Sequence, residues 1–147
     1  MIVKIDNKRN EVAYEIRRIF QDSYAIEAKI LKAIDFPPLK RTVSQFIDSN
    51  SEFYAYYRQY NIAGLIEVNS DQSVTHIQSL VVRPKYFRQG IGRKLVMFIL
   101  ETYTSINFTV ETGLDNHPAV QLYISLGFKE QSQWDTGHGV RKVCFKK

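Results

Sequence analysis

Val81-Val82-Arg83-Pro84-Lys85-Tyr86-Phe87-Arg88-Gln89-Gly90-Ile91-Gly92-Arg93-Lys94 is the stretch on which the fold turns. An apolar strand stops at a proline, a short loop carries two glycines two apart, and an amphipathic helix begins. Glycine lets the backbone approach a ligand, and the free N–H groups of a helix start attract anions. Lys85, Arg88, Arg93 and Lys94 add positive charge there. Neither of two familiar phosphate loops fits. A P-loop needs two glycines five apart followed by Lys-Ser/Thr, and a dinucleotide fingerprint needs a glycine where Leu95 stands. Alone, Gly90-Ile91-Gly92 is more simply a helix-entry turn.

Upstream, Met1–Ile5 reads as a short strand and Glu11–Ile34 as helical, with Val12, Ile16, Ile19 and Phe20 three and four apart. Asp22-Ser23 is expected to divide that helix, Ser23 capping a second piece that carries Glu27 and Ile30. Phe36-Pro37-Pro38 closes the segment, because proline cannot continue a helix and restricts the residue before it. A shorter helix is expected over Thr42–Asp48. Strands follow at Phe53–Arg58, Ile62–Val68 and Val74–Val82. Within the third the apolar alternation slips phase, which calls for a bulge or a strand buried on both faces.

Downstream, Gly92–Tyr103 is an amphipathic helix, and Ile106, Phe108 and Val110 alternate as a strand. Asn116 is placed to cap a helix with Pro118 in its first turn and Ala119, Leu122, Tyr123 and Leu126 as its apolar stripe; Gly127 stops it. Phe128–Trp134 and Val140–Phe145 read as a closing strand pair. The order gives a mixed α/β fold: antiparallel strands, then strand–helix–strand units, flanked by about four helices.

The 147 residues fit one domain, 1–147, with 44% hydrophobic and 24% charged residues. A net charge of +5 favours an anionic partner without choosing among nucleic acid, anionic lipid and a phosphorylated cofactor. The single cysteine, Cys144, excludes an internal disulfide and a cysteine metal cluster. Charges at Lys4, Asp6, Lys8 and Arg9 exclude a signal-peptide core, and the apolar run Leu95–Leu100 is too short to span a bilayer, so a cytoplasmic protein with no membrane partner is expected.

Asn116-His117-Pro118-Ala119-Val120-Gln121-Leu122-Tyr123-Ile124-Ser125-Leu126-Gly127-Phe128 resembles the second signature of the GCN5-related N-acetyltransferase (GNAT) superfamily, Asn-x-x-Ala-x-x-x-Tyr-x-x-x-Gly-Phe. Val82-x-Pro84 leading to Gln89-Gly90-Ile91-Gly92 resembles that family's acetyl-CoA loop. The resemblance implies a largely antiparallel sheet in which two parallel strands, ending at Val82 and Glu111, splay apart around the cofactor. It implies that Leu80, Val81 and Val82 meet the cofactor arm. Amides of Arg88, Gln89, Gly90, Ile91, Gly92 and Arg93 would hold its pyrophosphate, with Asn116 and Tyr123 contacting it too. Phe87 departs from the family pattern, which has Gln or Arg there; Arg88 is the candidate replacement.

Transfer of an acetyl group to an amine needs a neutral nucleophile, a polarised carbonyl and a proton for the departing thiolate. The resemblance makes Tyr123 the general acid, although its place on the apolar stripe also fits core packing. Glu111, polar at a strand end, is the first candidate base, because its place five residues before Asn116 and twelve before Tyr123 is similar to that of the base glutamate in the branch of the superfamily that acetylates protein N-termini; an exposed carboxylate or structural ion pair is the other reading. His76 and Glu67 are runners-up, with a structural histidine and a solvent-facing carboxylate as their plainer readings; Glu27, Tyr24 and Phe36-Pro37-Pro38 lie where the family covers its acceptor, although ordinary helix and loop packing explains them as well. The expected partners are acetyl-CoA and an amine, with no metal, and the chain as monomer or homodimer. Two other readings are a cofactor-binding sensor of the same fold and a basic nucleic-acid-binding module. No reader motif supports the second.

Overall fold

The structure is a computed structural model that describes residues 1–147. Seven strands form one sheet in the order β1-β2-β3-β4-β5-β7-β6. They are β1 (Ile2–Ile5), β2 (Glu52–Arg58), β3 (Asn61–Ser70), β4 (Val74–Val82), β5 (Asn107–Gly113), β6 (Lys129–Asp135) and β7 (Arg141–Lys146). Four α-helices cover it: α1 (Asn10–Leu31), α2 (Val43–Asp48), α3 (Ile91–Thr102) and α4 (His117–Ser125). All strand pairings are antiparallel except β4 with β5.

Alternation along the strands feeds a core on each face. Phe53, Ala55, Leu65 and Val81 pack with α1 and α2, whereas Ile66, Val68, Ile77 and Val110 pack with α3 and α4. The phase slip in β4 is a bulge: Glu67 faces Ser79 while Val68 faces Ile77, leaving Gln78 extra. Ile77 therefore belongs to the α3 side, and Ser79 and Val81 turn toward α1.

At the same point β4 and β5 part. Their parallel pairing runs only from Val74 opposite Asn107 to Ile77 opposite Val110, yet β4 continues to Val82 on β3 and β5 to Gly113 on β7. One backbone edge of Gln78–Val82 thus faces a gap. Polar backbone buried without a partner is costly, so this edge must meet either water or another extended chain.

Two expectations are corrected. Asp22-Ser23 does not divide α1, because buried Phe20 and Tyr24 flank the pair with ring centroids 5.5 Å apart and hold the helix through it. It ends at Leu31, with Lys32 left-handed (φ 52°). Ile106 lies outside β5 and is 78% exposed, so the strand's apolar side starts at Phe108.

Candidate active site

At one end of the gap lies the glycine turn. Gly90 caps α3 in a left-handed conformation (φ 75°), and no side chain caps the helix. The first N–H groups of a twelve-residue helix are therefore free for an anion. Arg88, itself left-handed at φ 61°, and Arg93 flank them. Gly64 on β3 lets α3 sit close: a Cβ there would lie 3.0 Å from the Ile91 side chain. A Cβ on Gly92 would lie 3.6 Å from Leu122 of α4 and 3.7 Å from Leu80 of β4. Arg93 Nη1 donates to Ser125 Oγ at 3.0 Å. The glycine turn, the end of β4 and the helix carrying Tyr123 therefore meet on one side of the sheet.

The gap widens into a cavity of about 640 Å³, lined by Leu80, Glu111, Asn116, Tyr123 and Glu27 among others. Tyr123 is 3% exposed and packs edge-on to Phe128 at 5.6 Å. No hydrogen bond from the protein engages its hydroxyl, which opens on the cavity. Burial, and then the charge of Glu27, push this phenol well above its ordinary value. The core-packing and site readings of Tyr123 are therefore compatible: its ring fills the core while its oxygen faces the gap.

Glu27 projects from α1 on the stripe that also carries Phe20, Tyr24 and Leu31 to the cavity. Asn116 Nδ2 donates to its Oε1 at 2.6 Å, and Asn116 Oδ1 accepts from Ala119 N at 3.4 Å. One side chain thus caps α4 and ties it to α1 across the parted strands. Burial raises the Glu27 carboxyl, with the Asn116 hydrogen bond and the Lys142 charge opposing. A carboxyl raised by folding adds stability below its unfolded value and loses it as pH climbs through the folded one. Glu27→Gln should therefore raise Tm at pH 7 relative to the wild type, and the gain should vanish below about pH 4, under the ordinary carboxyl value. Thermal melts of the two proteins across that range check this.

The remaining candidates stand apart. Glu111 lines the cavity at its exposed side, 3.5 Å from Lys142 Nζ. His76 sits on the last paired stretch, its Nδ1 2.7 Å from Thr109 Oγ1. Burial pushes its pKa down against the pull of Glu111. Glu67 is 1% exposed, neither solvent-facing nor part of the cavity wall. Arg41 Nη1 and Nη2 donate to its two oxygens at 2.7 and 2.8 Å, Ser79 Oγ donates at 3.0 Å, and Ser51 Oγ donates as well. Ser79, Arg41 and His138 were not legible as site residues. Ser79 and Arg41 depend on long-range pairing, and His138 sits in a turn between Gly137 and Gly139 whose composition signals only a hairpin.

A parallel pair that parts in mid-sheet beside an uncapped helix start is the arrangement that the resemblance to the acetyltransferases implied. The chain belongs to that class: residues 27–147 match the acetyltransferase (GNAT) domain family. It is similar, at 29% identity over 146 residues, to UPF0157 protein YqkA of Bacillus subtilis (strain 168). That match covers 99% of this chain and 43% of the relative, so the chain spans less than half of that protein's length. In fold it resembles the ribosomal-protein-S18-alanine N-acetyltransferase from Escherichia coli, with a TM-score of 0.76, 19% identity, and 99% and 91% of the two chains covered. It also resembles a GNAT family acetyltransferase from Elizabethkingia anophelis with acetyl-CoA bound, with a TM-score of 0.63, 21% identity, and 80% and 86% covered. No helix is long and apolar enough to cross a membrane, and no cluster of side chains forms a metal site.

Proposed function

We propose that the protein transfers an acetyl group from acetyl-CoA to a primary amine. The observation carrying this is the convergence of an uncapped helix start and a buried, unbonded tyrosine hydroxyl on one gap between parted strands. The cofactor's pyrophosphate would sit on the first turn of α3, with Arg88 and Arg93 beside it. Its amide-bearing arm would pair with the edge of Leu80–Val82 that β5 leaves, and a backbone N–H of that edge would polarise the thioester carbonyl.

The acceptor arrives as an ammonium and gives one proton to Glu111, which opens to solvent and can pass it on. The neutral amine then attacks the carbonyl carbon; the C–N bond forms and the C–S bond breaks. A phenol held above its ordinary value is a weak donor by itself, so Tyr123 acts as a relay. It gives its proton to the leaving sulfur while taking one from the nitrogen that has just become cationic. One proton is released overall.

The first test is binding. Acetyl-CoA at a hundred times its Kd should add about 2.7 kcal/mol of stability, read as a rise in Tm. An unchanged Tm at millimolar cofactor would remove the donor assignment.

A further inference from the structure

Four rings run in sequence along the α1 side of the cavity. Phe20 and Tyr24 lie 5.5 Å apart, Tyr24 and Phe36 5.8 Å, and Phe36 and His138 5.9 Å between centroids, all four lining the space. Pro37 and Pro38 extend the same wall. Phe20, Tyr24 and Phe36 are mostly buried and show the cavity only their edges, so beside His138 and the two prolines there is room for one small flat apolar group. His138 Nδ1 is buried without a hydrogen-bond partner, although its main-chain oxygen is fixed by Ile34 N at 2.8 Å.

Into this wall projects one carboxylate. Glu27 is mostly buried, its only hydrogen bond comes from a neutral amide, and it forms no ion pair. Buried carboxylates normally have a cation. The charge nearest to completing this site is an ammonium, and Glu27 lies close enough to Tyr123 for its charge to act on that phenol. Of the other charged side chains on the cavity, Arg41 is spent on Glu67, Lys40 on Asp35 and Lys142 on Glu111, which leaves Glu27 as the carboxylate there without an ion-pair partner. One unpaired carboxylate matches one positive charge on the ligand, and the paired cations around it disfavour a second.

We propose that the acceptor is a singly charged primary amine borne within two or three carbons of an aromatic-sized apolar group, its ammonium held by Glu27 and its body lying along Phe36 and His138. This rests on the acetyl-transfer reading and names its substrate class. Small arylalkylamines and peptide N-termini with a large apolar first residue share that chemistry.

Initial rates with acetyl-CoA, read by free thiol release, separate these sources. The amines are phenethylamine, the tripeptide amide Phe-Gly-Gly, ethylamine, spermidine and Nα-acetyl-lysine amide. Burying one aromatic ring should favour phenethylamine or the peptide over ethylamine by about 10- to 100-fold in kcat/KM. Turnover of phenethylamine alone identifies a small molecule, of the peptide alone an N-terminus; either supports the class. Phe36→Ala should shrink the aromatic preference, and Glu27→Gln should raise KM for the amine by about tenfold or more with acetyl-CoA affinity little changed. Ethylamine, spermidine or acetyl-lysine serving equally well overturns the proposal, as does Glu27→Gln leaving KM unaltered. If no amine reacts while acetyl-CoA still raises Tm, the acceptor class fails and the donor site stands. Failure of acetyl-CoA to bind overturns both.

Discussion

Tyr123→Phe should lower kcat by about 10²- to 10⁴-fold, the range of a lost proton-transfer group, with acetyl-CoA affinity and Tm nearly unchanged. The ring that packs on Phe128 and Phe145 is retained in the variant; only the hydroxyl facing the cavity is lost. That hydroxyl makes no hydrogen bond to the protein, so its removal leaves no partner unsatisfied. Because burial and Glu27 hold the phenol above its usual value, wild-type activity should show no loss from Tyr123 ionisation up to about pH 10, the unperturbed phenol value. A variant with full kcat would show the thiolate leaving without this proton. Single-turnover rates beside equilibrium binding of acetyl-CoA separate the two quantities.

Glu67→Ala should cost about 3–5 kcal/mol, because it strands the guanidinium of Arg41 without its carboxylate. For a chain of this size that corresponds to a Tm lowered by about 6–20 °C. Arg41 is clamped between Glu67 and the face of Phe46, whose ring centroid is 4.2 Å from its central carbon, and only 21% of its side chain is exposed. Glu67→Gln should cost less, since the amide keeps one acceptor oxygen. Replacing both partners with apolar groups, Glu67→Leu with Arg41→Met, should recover much of the loss. A Glu67→Ala protein that melts like the wild type would mean the ion pair contributes nothing. Ser79 joins this network where β4 leaves β5, so the same group of side chains anchors one lip of the gap.

Much of this arrangement was legible in the sequence because it is written locally. The phase slip between His76 and Leu80 became the bulge at Gln78, and the two glycines after Pro84 became the start of α3. Asn116 and Gly127 bounded α4 as cap and stop, Gly127 at φ 92°. Single residues with distinctive backbone or capping chemistry give such signals. Ser23 sends the same local signal, yet two buried aromatic rings outweigh it. On the wall opposite Tyr123 the resemblance pointed to Glu27, Tyr24 and the Pro37-Pro38 turn, and the illegible part was what they pair with. Glu27 meets Asn116 across 89 residues, Arg41 meets Glu67 across 26, and His138 reaches Phe36 from the far hairpin. Such contacts exist only after the sheet has formed, and no spacing in the chain announces them.

The central claim is that the Gly90–Gly92 turn and Tyr123 serve one thioester, and a crystal structure with acetyl-CoA tests it most directly. Pyrophosphate oxygens on the first N–H groups of α3, with the sulfur within hydrogen-bonding reach of the Tyr123 hydroxyl, are the predicted result. Cofactor bound elsewhere, or bound with its sulfur pointing away from Tyr123, would contradict it.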